Sequence, residues 1–152
     1  MRDLATDRFT VGVFKDVASA EKGIGALERH GFPPQALSLI AVASPEVEAF
    51  AARVFGGKGQ AAEVKNLGSA LVHGPLIAVL NGNADDFPKL GIAATAGRAG
   101  FQQHDGVIFE RLTARGGILI GVSSEGRASD AVATLHAYGG GNAAIGAWTG
   151  RV

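Results

Sequence analysis

An α+β fold is what this sequence predicts, on three observations. Alternating apolar residues run into a helical apolar stripe near the N-terminus, and the same order recurs near the C-terminus. Between them, residues 44–115 form a connection far longer than ordinary loops, so it must carry structure or function of its own. Two β-α-β halves in a chain of 152 residues, the length of one domain, define a ferredoxin-like split β-α-β sandwich. Residues 1–152 then form a single domain, with halves at 9–43 and 116–148 and a helical, Gly-rich insert at 44–115. Right-handed crossovers put both half-domain helices on one sheet face. The other face needs a cover, either the insert or a second subunit.

The first half opens with Phe9, Val11 and Val13, alternating as in a half-buried strand. Asp16 can cap the following helix by accepting from a free N–H of its first turn. Val17, Ala20, Ile24 and Leu27, at spacings of three, four and three, make one apolar stripe. Gly31 supplies the stop and Pro33-Pro34 prevents resumption. "ALSLIAVA" at 36–43 reads as the second strand.

In the second half Ile118, Ile120 and Val122 alternate, and Ser123 or Ser124 can cap. Ala128, Val132 and Leu135 mark the helix, Gly139 stops it, and "NAAIGAW" at 142–148 is a weaker last strand. "VGV" at 11–13 answers "IGV" at 120–122, with one residue deleted between strand and helix. Gly12 and Gly121 sit inside strands, where glycine normally weakens pairing, which points to close approach by another element.

The insert opens with a helix over 44–56, capped by Ser44, with Pro45 at its first position and Val47, Phe50 and Val54 on one face. "GSALVHGPLIAVLNGN" is small, apolar and lightly polar. "DDFPKLGIAATAGRAG" and "DGVIFERLTARGG" read as two more helices, the latter with Ile108, Leu112 and Arg115 in a partial stripe.

These features resemble the general-stress, heat-induced proteins of the YflT type. The carriers are Val11 to Phe14, Asp16, Ala20, Ile24, Leu27, Gly31 and Phe32 in the first half. Gly74, Pro75, Leu76, Ala78 and Leu80 carry it in the insert, and Arg115, Gly116, Gly117, Leu119 and Val122 in the second half. The resemblance covers most of residues 9–140 and implies a non-enzymatic, stress-associated protein with no catalytic residues to transfer. One departure is that Asp85, Asp86 and Pro88 interrupt the long glycine zipper such relatives often carry.

Composition excludes several classes. Basic and acidic residues balance at 14 each with no like-charged block, so the electrostatic footprint of nucleic-acid binding is missing. Phe9 and Phe14 are the candidates for base stacking, and the second half offers Ile and Val in their place. Without cysteine there is no disulfide, thiolate metal site or cysteine nucleophile. "MRDLATDRF" has no apolar signal core, which predicts a cytoplasmic protein. The longest uncharged run, 66–84, contains Pro75 and His73, so membrane insertion is not expected while peripheral contact stays open.

The obvious chemical candidate is Gly57-Lys58-Gly59, part of a loose dinucleotide fingerprint. A phosphate loop needs a strand before it and a helix after it, and here a helix precedes. It therefore reads as a helix stop and hinge, with Gly57, Lys58 and Gly59 kept as a weak anion-loop candidate. His30, His73, His104 and His136 include no pair at i, i+3 or i+4, so no local metal site and no cofactor is expected. Asp85 and Asp86 suit a helix N-terminus better than acid–base work. Gly12, Gly121, His73, Gly74, Pro75 and Leu76 are the candidate interaction residues.

Three functions compete. The first is a stress-associated accessory protein whose insert packs on a protein partner or a second copy. The second is a nucleotide- or anion-sensing oligomer with its ligand between subunits. The third is a dimeric α+β barrel enzyme with haem on His104 or His136.

Overall fold

The computed structural model describes residues 9–57, 59–124, 127–140 and 144–145. Strands β1 (Phe9–Phe14), β2 (Leu37–Val42), β3 (Gln60–Val64), β4 (Gly68–His73), β5 (Ile118–Ser123) and β6 (Ala144–Ile145) form one sheet in the order β3-β4-β2-β5-β1-β6. Every neighbouring pair is antiparallel. At the centre Phe14 pairs with Ile118 and Val11 with Gly121, while Leu39 pairs with Ile120. Of the expected strand at 142–148, residues 144–145 form β6 and the rest lie outside the described residues.

Helices α1 (Val17–Arg29), α2 (Pro45–Phe55) and α7 (Ala128–Ala137) cover one face. There Phe14, Leu39, Ile118 and Ile120 meet Ile24 and Leu27 of α1, Phe50 of α2 and Leu135 of α7. Asp16 Oδ1 accepts from Ser19 N at 2.8 Å, and Ser44 Oγ from Val47 N at 3.1 Å, so both expected caps form. Gly23 lets α1 lie against the Phe14 ring, since a Cβ there would stand 2.5 Å from Phe14 Cζ. A mid-helix glycine costs about 1 kcal/mol, and burying a phenylalanine side chain returns about 1.5–3 kcal/mol.

The opposite face is covered by the middle segment. Helices α3 (Pro75–Asn81), α4 (Phe87–Leu90), α5 (Ile92–Thr95) and α6 (Gln103–Ala114), with a 3-10 turn at Ala96–Ala99, bury Leu76, Leu80, Phe87, Ile92 and Phe109 against Phe9, Val11, Val13, Ile40 and Leu119. The alternating residues of β1 thus face the insert, and Phe14 faces α1; the strand is buried along its whole length rather than on one side. No helix among the described residues is long and apolar enough to cross a membrane.

Several local expectations need correction. The insert is not purely helical, because β3 and β4 form a hairpin that extends the sheet beyond β2. "DDFPKLGIAATAGRAG" is no single helix: Gly91, at φ +89°, separates α4 from α5, and a 3-10 turn follows. Helix α6 buries Gly106, Phe109 and Thr113, whereas Ile108 and Leu112 are only partly buried and Arg115 is exposed. Ser124 does not cap α7; its buried hydroxyl bonds Thr10 Oγ1 at 2.8 Å, and the N-cap position falls to Arg127.

Candidate functional site

The residues singled out in the sequence fall in three places. His73, Gly74, Pro75 and Leu76 join β4 to α3. Gly74 takes φ +103°, and a Cβ on it would stand 2.4 Å from the Leu37 carbonyl oxygen. This close approach brings the start of α3 onto β2, where Ser38 Oγ accepts from Leu76 N at 2.9 Å. Leu76 then fills the space left by Gly121, whose ideal Cβ lies 3.0 Å from Leu76 Cδ2. His73 lies against the Phe55 ring, centroids 4.6 Å apart, and with Gly74 and Pro75 it borders a shallow cavity of about 380 Å³.

Gly12 serves the other face, where an ideal Cβ would stand 3.0 Å from the Gly140 carbonyl oxygen and 3.4 Å from Leu135 Cβ. The two repeated glycines thus receive different elements on opposite faces. Strand side chains alternate with period two, so the one-residue difference between strand and helix in the two halves turns the second glycine over.

Gly57 and Gly59 follow α2 and precede β3, and Lys58 lies outside the described residues. Gly56 ends α2 in the left-handed region, its N–H donating to Ala52 O. The loop therefore sits at a helix C-terminus, where the partial charge is negative and repels phosphate. Glu48 borders the neighbouring cavity of about 260 Å³, adding a carboxylate to the same side.

A larger cleft of about 550 Å³ opens between the end of β1, the first turn of α1 and the end of α6. Its walls include the exposed Lys15 and Arg115 and the partly buried Ser19, around an apolar floor in which Leu112 is partly exposed while Val13 and Phe14 are buried. The sheet register explains how they meet. Phe14 pairs with Ile118, so the residues following β1 face those preceding β5. Arg115 closes α6 as its C-cap, and Gly117 lets Val13 approach closely, a Cβ there standing 2.6 Å from Val13 Cγ1. Lys15 carries no helical or strand signal of its own, and nothing in the sequence links it to a residue about a hundred positions on. The only available clue is that both cations flank strands that pair.

The carboxylates with displaced titration serve structure. Asp16 is held below the usual carboxylate range chiefly by the Ser19 backbone N–H and then by the Ser19 side chain, helped by Lys15 and Lys22. Arg53 does the same for Glu21 through a bidentate pair at 2.8 and 3.0 Å, and Arg98 for Asp86 at 2.7 Å. Asp86 does not cap α4 with its side chain; Asn81 Oδ1 instead accepts from Phe87 N at 3.0 Å.

His30, His104 and His136 are exposed, on the C-cap of α1, in the first turn of α6 and in the last turn of α7. Among the described residues no three His, Asp or Glu side chains form a group that could hold a metal ion. Phe9 and Phe14 are buried on opposite faces, so neither presents a ring for base stacking. No protein-family model, curated protein or solved structure matches the chain.

Proposed function

We propose that the protein is a non-enzymatic, cytoplasmic, stress-associated accessory protein on a ferredoxin-like scaffold, acting through packing of its middle segment on a protein partner or a second copy. The order β6-β1-β5-β2 supports the scaffold, being that of a split β-α-β sandwich, with β4 and β3 added beyond β2. The YflT-type resemblance supports the stress role. One observation carries the packing reading: the middle segment supplies β3, the outermost strand at one edge of the sheet. Gln60, Ala61 and Glu63 are exposed there and Ala62 is partly so. The strand contains no proline or bulge, and Glu63 is its one charged side chain. Such an edge can take a partner strand through main-chain hydrogen bonds, and its alanines allow close approach.

Affinity purification of the full chain from native cells, followed by light scattering, tests the proposal. The wild type is expected in a complex above monomer mass, and the Ala61→Lys/Ala62→Lys variant, with unchanged circular dichroism, as a monomer. A wild type that runs alone as a monomer overturns the reading. The second reading, an anion-sensing protein, is favoured by one observation, the cleft that Lys15 and Arg115 share.

A further inference from the structure

We infer that the cleft between β1, α1 and α6 is a binding site for a small organic anion. Lys15 and Arg115 hold the charged head, and partly buried Leu112 with the aliphatic stems of the two cations supplies a surface for an apolar body. The inference gives the anion-sensing reading a definite site, away from the glycine loop.

Four observations converge on it. The volume, about 550 Å³, is within the range of small-molecule sites and exceeds that of the two other cavities described above. Two cations border one concavity, and among the described residues neither forms an ion pair, whereas Arg53, Arg98 and Arg127 each have a carboxylate partner. The carboxylate next in sequence to Lys15, that of Asp16, is already engaged by the backbone N–H and the side chain of Ser19. Finally, the partial negative charge at the end of α6, which opposes an anion as at the end of α2, is met by the Arg115 cation at the C-cap, and the last carbonyls are bonded within the chain. Arg111 O and Leu112 O accept from Arg115 N, Thr113 O from Gly116 N, and Leu112 O again from Gly117 N.

The chemistry selects for a ligand with two parts. A bare inorganic anion would gain the charge contacts and leave the apolar floor wet. A neutral apolar molecule would cover the floor and leave two cations without a partner. A molecule joining both is favoured over either, because each contact then adds to one binding event.

The test uses 1-naphthyl phosphate, with 1-naphthol and inorganic phosphate as its separated parts. Titration calorimetry and amide shift mapping are run on the full chain. We expect one site per chain, with shifts confined to residues 13–19 and 112–117, and at least tenfold weaker binding of each separated part. Lys15→Gln/Arg115→Gln should weaken naphthyl phosphate at least tenfold and leave 1-naphthol unchanged. Vesicles of phosphatidylglycerol identify the source of the anion. Vesicle binding that the double variant abolishes assigns the site to a lipid headgroup, and no vesicle binding assigns it to a soluble ligand. Naphthyl phosphate binding that the double variant leaves intact, shifts mapping elsewhere, or no binding at millimolar ligand overturns the inference. The Ala61→Lys/Ala62→Lys variant should bind as the wild type does, since β3 is four strand positions from β1, so failure of the partner reading leaves this result untouched.

Discussion

The backbone N–H of Leu76 donates to the buried hydroxyl of Ser38 at 2.9 Å, so a strand residue caps a helix that begins 37 residues later. Gly74, at the N-cap of α3, has no side chain with which to do this. The bond fixes α3 to the middle of the sheet.

Ser38→Ala removes the acceptor and leaves a buried donor. A loss of about 1–2 kcal/mol is expected, the usual cost of deleting a helix cap or stranding a buried polar group. Urea unfolding at neutral pH measures it. A change below a few tenths of a kcal/mol would show that water replaces the hydroxyl and that the cap does not tie α3 down.

The glycines of this junction should separate sharply. Gly74→Ala forces a Cβ against the Leu37 carbonyl in a backbone conformation that L side chains rarely adopt. It should cost about 2–4 kcal/mol or prevent folding. Gly121→Ala meets the end of the Leu76 side chain most closely, with Ser38 Cβ at ordinary contact distance, and should cost about 1 kcal/mol, since overpacking is offset by better strand propensity. Leu76→Val should recover part of that loss in a double-mutant cycle. Equal effects at the two positions would contradict the packing described.

Acid should destabilise the fold through Asp16, Glu21 and Asp86. Each has a folded pKa depressed by its partner, so its contribution is present above the unfolded pKa, about 4, and is lost as pH falls through the folded value. The denaturation midpoint should therefore decline from about pH 5 towards pH 3. Glu21→Gln, which removes one of these groups, should make that decline shallower. An unchanged acid slope would mean that the Arg53 pair has no effect on titration.

The local signals in the two halves were legible because they rest on short-range chemistry. Asp16 and Ser44 cap their helices, Gly31, Gly116 and Gly139 take positive φ, and α1 and α7 share a face, all as the sequence indicates. The β3–β4 hairpin was not legible, because Ala61, Ala62 and Ala70 give little strand signal and β3 lies half exposed at an edge. Asn66 and Gly68, both at positive φ, were its only turn signal. Ser124 misled because a serine before a helix serves equally well as a cap or as a buried partner, and Thr10, 114 residues away, decides which. The cleft was hidden for the same reason: Lys15 and Arg115 meet only through the pairing of β1 with β5.

That pairing also has a consequence for synthesis. β1 leaves the ribosome before its neighbour β5, which follows about a hundred residues later, at typical elongation rates roughly 5–20 s. During that interval a strand that ends up buried on both faces has neither neighbour in place, since β6 emerges later still. A ribosome-arrested chain ending before residue 118 should leave β1 open to protease, and protection should arrive only once β5 has emerged. An apolar strand left without its neighbours for that interval is a segment that a chaperone would have to shield.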